Sequence, residues 1–211
     1  MTIEVVHFPA DIYPSTQRLT PSVGAGQSMD ESPFSGAQTV TTYRGAERWL
    51  LDMSFEGLTG DDRADMMAFV ARLRVSHNVF LCVQHTAPQR GAYGGTPRAV
   101  GSLGGQHLNI YGASNSVSSW ARNGDFISVN SQLKMILGTY GTNGSGVASL
   151  FVWPPFYDSP SSGALIAVSS PCGAFRATRV IDLHTKPPRY ITDLTISAVE
   201  RVNSEMVSDF L

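Results

Sequence analysis

The sequence predicts a mainly β protein, an antiparallel β-barrel or sandwich with one packed α-helix at about residues 60–74 and long irregular arms. Three observations carry this. Stretches of alternating apolar and polar residues recur, as in Trp49-Leu-Leu-Asp-Met-Ser-Phe55, and period-two alternation marks strands with one buried face. Twenty glycines and twelve prolines cut these stretches short, which is the punctuation of turns. Only one segment has the 3.6-residue apolar period of a helix: Met66, Phe69, Val70 and Leu73 fall on one stripe.

Taken in order, Ile3 to Phe8 reads as a strand. From Pro9 to Gly36 follows an irregular arm broken by Pro14, Pro21 and Pro33 and containing Phe34. So long a segment without regular structure is unusual inside a compact domain and is the natural arm to reach a neighbour. Gln38 to Tyr43 and Arg48 to Glu56 read as strands joined by a hairpin at Arg44-Gly-Ala-Glu47. In the second of these, Trp49, Leu51, Met53 and Phe55 share one face, with Leu50 the apolar exception on the other. The helix follows, with Asp61 and Asp62 at its positive start and Arg72 and Arg74 at its end. Asn78 to Gln84 is a continuous apolar strand, and His85 to Gly105 a second irregular, glycine-rich zone. Strands are then expected at Gln106–Tyr111, Asp125–Val129, Gln132–Leu137, Val147–Trp153, Leu165–Val168, Ala174–Leu183 and Tyr190–Val199. Asn123-Gly124 is a strong turn signal. Pro154-Pro155 is expected to close a strand, and Pro187-Pro188 to separate the last two. The chain reads as one domain over residues 1–211, with sub-lobes 1–100, holding the helix, and 101–211, all β.

Composition narrows the function. Hydrophobic residues make up 42% of the 211, enough for a real core. Charged residues make up only 15%, against about 25% in an average soluble protein, so the surface suits burial against other subunits. Fifteen basic and seventeen acidic residues give 15 − 17 = −2, with no basic run, and binding nucleic acid through phosphate neutralisation has little to draw on. No apolar run approaches the ~20 residues that span a bilayer, and the first residues have neither a basic nor an apolar leader region, so cytosolic synthesis is expected. Cys82, inside Val79-Phe-Leu-Cys-Val83, and Cys172 are read as free thiols.

Chemistry is hard to find. The five histidines, His7, His77, His85, His107 and His184, show no metal-ligand spacing, and no nucleophile elbow, zinc-protease or phosphate-loop motif occurs. No catalytic residue, cofactor or metal is expected. Asp61, Asp62 and Asp65 have a helix-start explanation. Asn143-Gly-Ser145 reads as a turn. Trp120, Trp153 and Phe156 could form a sugar platform but are read first as core or interface anchors. Arg122 and Asp125 bracket the Asn-Gly turn, where an ion pair would be worth little. Arg176 and Arg179 are candidates for ion pairs between subunits.

Several short motifs together carry a resemblance. They are Tyr43-Arg-Gly-Ala-Glu-Arg-Trp49, Ala68-Phe-Val-Ala-Arg-Leu-Arg74, Asn78-Val-Phe-Leu81, Arg90-Gly91, Gly124-Asp-Phe-Ile127, Trp153-Pro-Pro155 and Pro171-Cys-Gly-Ala-Phe-Arg176. In this order the chain resembles tail structural proteins of tailed bacteriophages, in particular small distal tail (tail-tip adaptor) proteins. The resemblance implies a hexameric ring at the end of the tail tube, joining the tube to the hub or baseplate. Such a protein assembles in the host cytoplasm, resides in the virion, and has no enzymatic role. The partners implied are other copies of the chain and the tail tube and hub proteins. Two alternatives stand beside it: a head-to-tail connector or tail-completion ring, and, from another class, a carbohydrate-binding adhesin module using Trp120, Trp153 or Tyr157. For a ring, one face is expected on edge strands near Phe126 to Leu137 and its complement on the arm Pro9 to Gly36. The candidate interface residues are Pro14, Pro21, Phe34, Phe126, Lys134, Trp153, Arg176 and Arg179.

Overall fold

The computed structural model describes residues 3–9, 12–22, 27–33, 35–42, 47–73, 78–84, 88–102, 105–186 and 191–201. It is mainly β, with one helix. In chain order the elements are β1 (Val5–Val6), β2 (Thr16–Ser22), β3 (Gln27–Glu31), β4 (Gln38–Thr42), β5 (Arg48–Leu58), α1 (Gly60–Leu73), β6 (Val79–Val83), β7 (Gly95–Ser102) and β8 (Gly105–Ala113). Then come β9 (Phe126–Val129), β10 (Gln132–Ile136), β11 (Ala148–Phe156), β12 (Ser162–Ala167), β13 (Cys172–Lys186) and β14 (Ile191–Glu200). Among the described residues, no helix is long and apolar enough to cross a membrane.

Two lobes result. The first is a six-stranded sheet in the order β1-β6-β13-β14-β5-β2, in which only β1 and β6 are parallel. The alternation read in β5 does its expected work: Trp49, Leu51, Met53 and Phe55 are buried, and Leu50 stays 39% exposed. Met66, Phe69 and Leu73 of α1 pack on this face. There Phe8 meets Phe69 at 4.4 Å and Phe55 at 5.7 Å between ring centres. Gly60, at φ 58°, makes the bend into the helix, a conformation glycine adopts without steric cost.

The second lobe is a closed barrel, in the order β10-β11-β8-β7-β12-β9, filled by Leu108, Ile110, Trp120, Ile127, Val129, Ile136, Leu150, Val152, Phe156 and Ile166. It is inserted between β6 and β13, so the sheet lobe is built from both ends of the chain. The expected division near residue 100 is therefore not where the chain divides. Strands paired at long sequence separation leave no local signal, and the pairing of β13 and β14 with β6 and β5 is of that kind.

Four other expectations need correction. The arm from Pro9 to Gly36 contains β2 and β3. β2 pairs with β5 at the sheet edge, where Pro21, opposite Trp49, is tolerated because one side of an edge strand makes no ladder bonds. The expected hairpin between residues 38–43 and 48–56 does not form: β4 pairs with β3, and β5 lies between β2 and β14. The irregular zone at 85–105 holds β7, whose small residues and register shifts hide its alternation. Nor does Pro154-Pro155 end a strand. β11 runs through it to Phe156, with its pairing to β8 shifted between Phe151 and Phe156 and a cis Trp153–Pro154 peptide, and an irregularity is where a sheet accommodates proline. The Arg44–Ala46 connection, Arg74, Pro187-Pro188 and the apolar tip Met206–Leu211 lie outside the described residues.

β9 and β10 are joined by a two-residue turn, with Val129 opposite Gln132 and both Asn130 (φ 49°) and Ser131 (φ 58°) left-handed. This is the type I′ geometry that follows the twist of a hairpin. Asparagine tolerates it, whereas serine gives up about 1 kcal/mol. Ser131→Gly is expected to stabilise the protein by about 0.5–1 kcal/mol, after the extra freedom glycine gives the unfolded chain. Thermal unfolding would show this as a rise of roughly 1–4 °C; no rise would mean that the turn is already relaxed.

Candidate assembly interface

The eight residues expected at an interface separate into three groups. Phe126, Lys134 and Trp153 are buried inside the chain, at 8%, 0% and 7% exposure, and so are corrected from surface to interior. The reason is that β9 and β10 are not edge strands: β9 pairs with both β10 and β12, and β10 with β9 and β11. Alternate residues of this hairpin feed different cores. Phe126 and Leu133 join the sheet-lobe core, and Ile127, Val129 and Ile136 the barrel core. The segment reads as a half-buried strand in sequence because period two is preserved, yet both faces are covered.

Pro14 is half-buried beside β2, and Pro21 is exposed on it. Arg176 is half-buried on β13, with Nε buried and without a hydrogen-bond partner, and Arg179 is exposed three residues on. Phe34 lies outside the described residues. β3 and β4 form a two-stranded sheet of their own directly after the β2 edge, with Asp30, Glu31, Gln38, Thr39 and Thr41 exposed.

The interior where the lobes meet is aromatic and polar at once. Trp49 packs edge-on against Trp153 at 4.7 Å and lies 5.5 Å from Phe126. Its Nε1 donates to the Leu133 carbonyl at 3.1 Å, and Trp153 Nε1 to Glu47 Oε2 at 3.1 Å. Glu200, fully buried at the end of β14, accepts from the Trp49 backbone N–H through Oε2 (3.3 Å) and from the Leu133 N–H through Oε1 (3.1 Å). One carboxyl group thus ties β5 of the sheet to β10 of the barrel. Lys134 Nζ lies over the rings of Phe156 and Tyr157, at 5.1 and 5.3 Å from their centres, and donates to the Pro155 carbonyl at 3.4 Å. Burial pulls the Lys134 ammonium down to about 8, against the field of Glu200. Burial likewise pushes the Glu200 carboxyl up, against Lys134 and the two backbone donors. Desolvation outweighs mutual attraction for both partners. Sequence reasoning missed Glu200, since a polar residue at a strand end carries no sign of burial.

A second buried carboxylate organises the barrel mouth. Asp125, 2% exposed, accepts from the backbone N–H of Arg90 through Oδ1, and through Oδ2 from the N–H groups of Gly91 and Arg122 and the hydroxyl of Tyr93, each at 2.9 Å. Arg90 Nε lies 3.7 Å from Oδ1. Burial pushes this carboxyl up, but the donors, led by Arg90 and Arg122, outweigh it and hold the group below its ordinary range. The partner across the turn is therefore the Arg122 backbone together with the Arg90 side chain. Beside it the Gln89 carboxamide bonds both the N–H and the C=O of Phe126, as a neighbouring strand would.

The remaining sequence candidates are placed as follows. Trp120 and Phe156 are 0% and 1% exposed, inside the barrel, so with Trp153 they offer no sugar platform; Tyr157 is half-buried beside Lys134. Both cysteines are free. Cys82 lies opposite Gly173 and Cys172 opposite Val83, so alternation turns the two thiols to opposite faces. Burial pushes the Cys82 thiol up to about 12, which makes it a poor nucleophile. Asn143 Oδ1 accepts from Ser145 and Val147 N–H, closing the expected turn. His7 and His107 are exposed; His77 and His85, and the side chain of His184, lie outside the described residues. Among the described residues no group of three or more His, Cys, Asp or Glu could hold a metal ion. A groove of about 240 Å³ opens beside Ile12, Tyr13, Pro14, Met53 and Cys82. In comparison with known proteins, no protein-family model and no curated protein matches the chain.

Proposed function

We propose that the chain is a non-enzymatic structural subunit of a phage tail, forming a ring that joins the tail tube to the tail tip or baseplate. The observation that carries this reading is the open edge of the sheet lobe. The six strands end on β2, which has no second ladder partner among the described residues, its Gln17 side chain donating instead to the Val83 carbonyl of β6 at 2.9 Å, and the next element is a separate hairpin with exposed side chains. An unpaired edge is a template for another chain unless it is covered, and in a ring of identical subunits the neighbour covers it. Head-to-tail contacts of this kind use two different faces on each copy, and they close when the rotation allows. The low charge content and the resemblance to distal tail proteins point the same way.

Light scattering on the purified chain, with negative-stain images of the same peak, tests the proposal; a closed ring of about six copies is expected. Ser22 lies directly opposite Arg48, so a short Gly-Ser linker can replace residues 27–42 without disturbing β2 or β5. That variant is expected to remain folded by circular dichroism and to lose the ring. A wild-type chain that is monomeric at every concentration would sink the proposal, and rings in the linker variant would remove the hairpin from it.

A further inference from the structure

The outer face of the barrel carries a group of exposed apolar side chains. Leu165 of β12 lies opposite Arg98 of β7, which lies opposite Tyr111 of β8, so the three side chains form one row across neighbouring strands. Leu165 is 56% exposed and Tyr111 38%. Val100, next outward on β7, and Val147, just before the start of β11, are 49% and 38% exposed. Single exposed apolar residues need no explanation, whereas neighbouring ones on one sheet face are a place for a contact. At the centre of this group Arg98 is exposed, with Nη1 donating to the Gly163 carbonyl at 2.9 Å. Tyrosine and arginine set among aliphatics is the composition of an energetic centre in protein interfaces.

The sheet lobe presents a surface of complementary character. Besides its buried stripe, α1 has a second apolar stripe facing outward, Ala64, Met67, Ala68 and Ala71, all exposed. These fall at i, i+3, i+4 and i+7, one helix face, and alanines let a helix approach a sheet closely. Asp61 and Asp65, also exposed, stand on the next row of the same helix. One surface is apolar around a cation; the other is apolar, with Asp61 and Asp65 at its N-terminal end and Arg72, paired with Glu4, further along the same row. Both are exposed among the described residues.

We propose that the outward stripe of α1 on one copy lies across the β12-β7-β8 face of the barrel on the next, with Asp61 and Asp65 meeting Arg98. This contact rests on the ring reading and names one of its interfaces. It is heterologous, as a ring requires. With about 800 Å² per partner needed for a stable interface, it acts beside the β2 edge and the β3–β4 hairpin rather than alone. The ion pair sets which surfaces may meet.

Charge exchange in the full-length chain tests it, read as the concentration at which the ring dissociates, by light scattering at one fixed salt concentration. Arg98→Glu, and separately the pair Asp61→Arg and Asp65→Arg, are each expected to raise that concentration about 100-fold, the cost of opposed like charges. All three changes together are expected to restore the ring. Circular dichroism confirms that each variant is folded, which the exposure of these positions favours. Arg98→Glu rings as stable as wild type, or no rescue by the combination, would overturn this contact and leave the ring reading standing. A wild-type chain that never forms rings would overturn both.

Discussion

Asp125→Ala is expected to lower the unfolding temperature by roughly 10 °C, a loss of about 3–5 kcal/mol. The carboxylate bonds to four donors at once, three of them backbone N–H groups. A hydrogen bond to a charged group contributes about 1.5–3 kcal/mol, and a buried donor left unpaired costs about 1–3 kcal/mol. Those values do not add across one network, so the range sits well below their sum. Asp125→Asn separates charge from shape. Its NH₂ group must face donors on one side or the other, so it is expected to cost about 1–3 kcal/mol. The wild type also has an acid signature. Since the folded carboxyl sits below its ordinary value of 3.8, the unfolded state binds the proton first as pH falls. Stability from this group is complete above the unfolded value and drains away as pH falls through the folded one. Urea unfolding at stepped pH should show that slope in the wild type and not in Asp125→Asn; equal slopes would assign the acid sensitivity elsewhere.

The second large effect is asymmetric. Glu200→Ala leaves Lys134 buried without its counter-charge and frees the N–H groups of Trp49 and Leu133, for an expected loss of about 3–5 kcal/mol. Lys134→Met with Glu200→Gln removes both charges and keeps one acceptor, so it should recover most of that loss. Buried pairs can be replaced by apolar residues at little cost when neither ion is stranded. If the double variant is as unstable as Glu200→Ala, the carboxylate matters for its two hydrogen bonds and the lysine is incidental. Burial sets the pH dependence of Lys134. Its folded value near 8 lies under the ordinary 10.5, so between them the unfolded chain holds the extra proton. The cost of the buried cation is fully present below 8 and is removed as pH rises toward 10.5, and stability from this group climbs across that window. Lys134→Met should flatten that part of the profile.

Much of the fold was legible in the sequence where period and composition agree. β5, α1, β6 and the β9–β10 hairpin lie close to their expected places because each carries an apolar face that needs covering. What escaped was either polar or long-range. β2, with Pro21 and no apolar alternation, owes its strand conformation to the edge of β5. β7 is made of small residues around shifts in register. The partition into lobes depends on pairings such as Cys172 with Val83 and Thr192 with Leu58, which no local pattern announces. The interface candidates failed for a related reason. Phe126, Lys134 and Trp153 show the right chemistry for a surface anchor, and only the closing of the barrel against the sheet turns them inward. Lys134 in particular gave no warning, since a lysine in an alternating strand reads as its wet face.

The barrel's two chain ends meet. Gln84 N–H bonds the Pro171 carbonyl at 3.0 Å, continuing the β6–β13 ladder to the point where the chain leaves the sheet and returns. A gap of one ladder rung is what a short turn spans, and insertions are best tolerated where their ends adjoin. In evolutionary terms the barrel is a cassette. It enters and leaves at a single rung, but it is tied to the sheet behind that rung. Phe126, Leu133 and Trp153 belong to the sheet-lobe core and the Leu133 N–H bonds Glu200, so a descendant lacking the barrel would have to cover Trp49 and the Glu200 carboxyl anew.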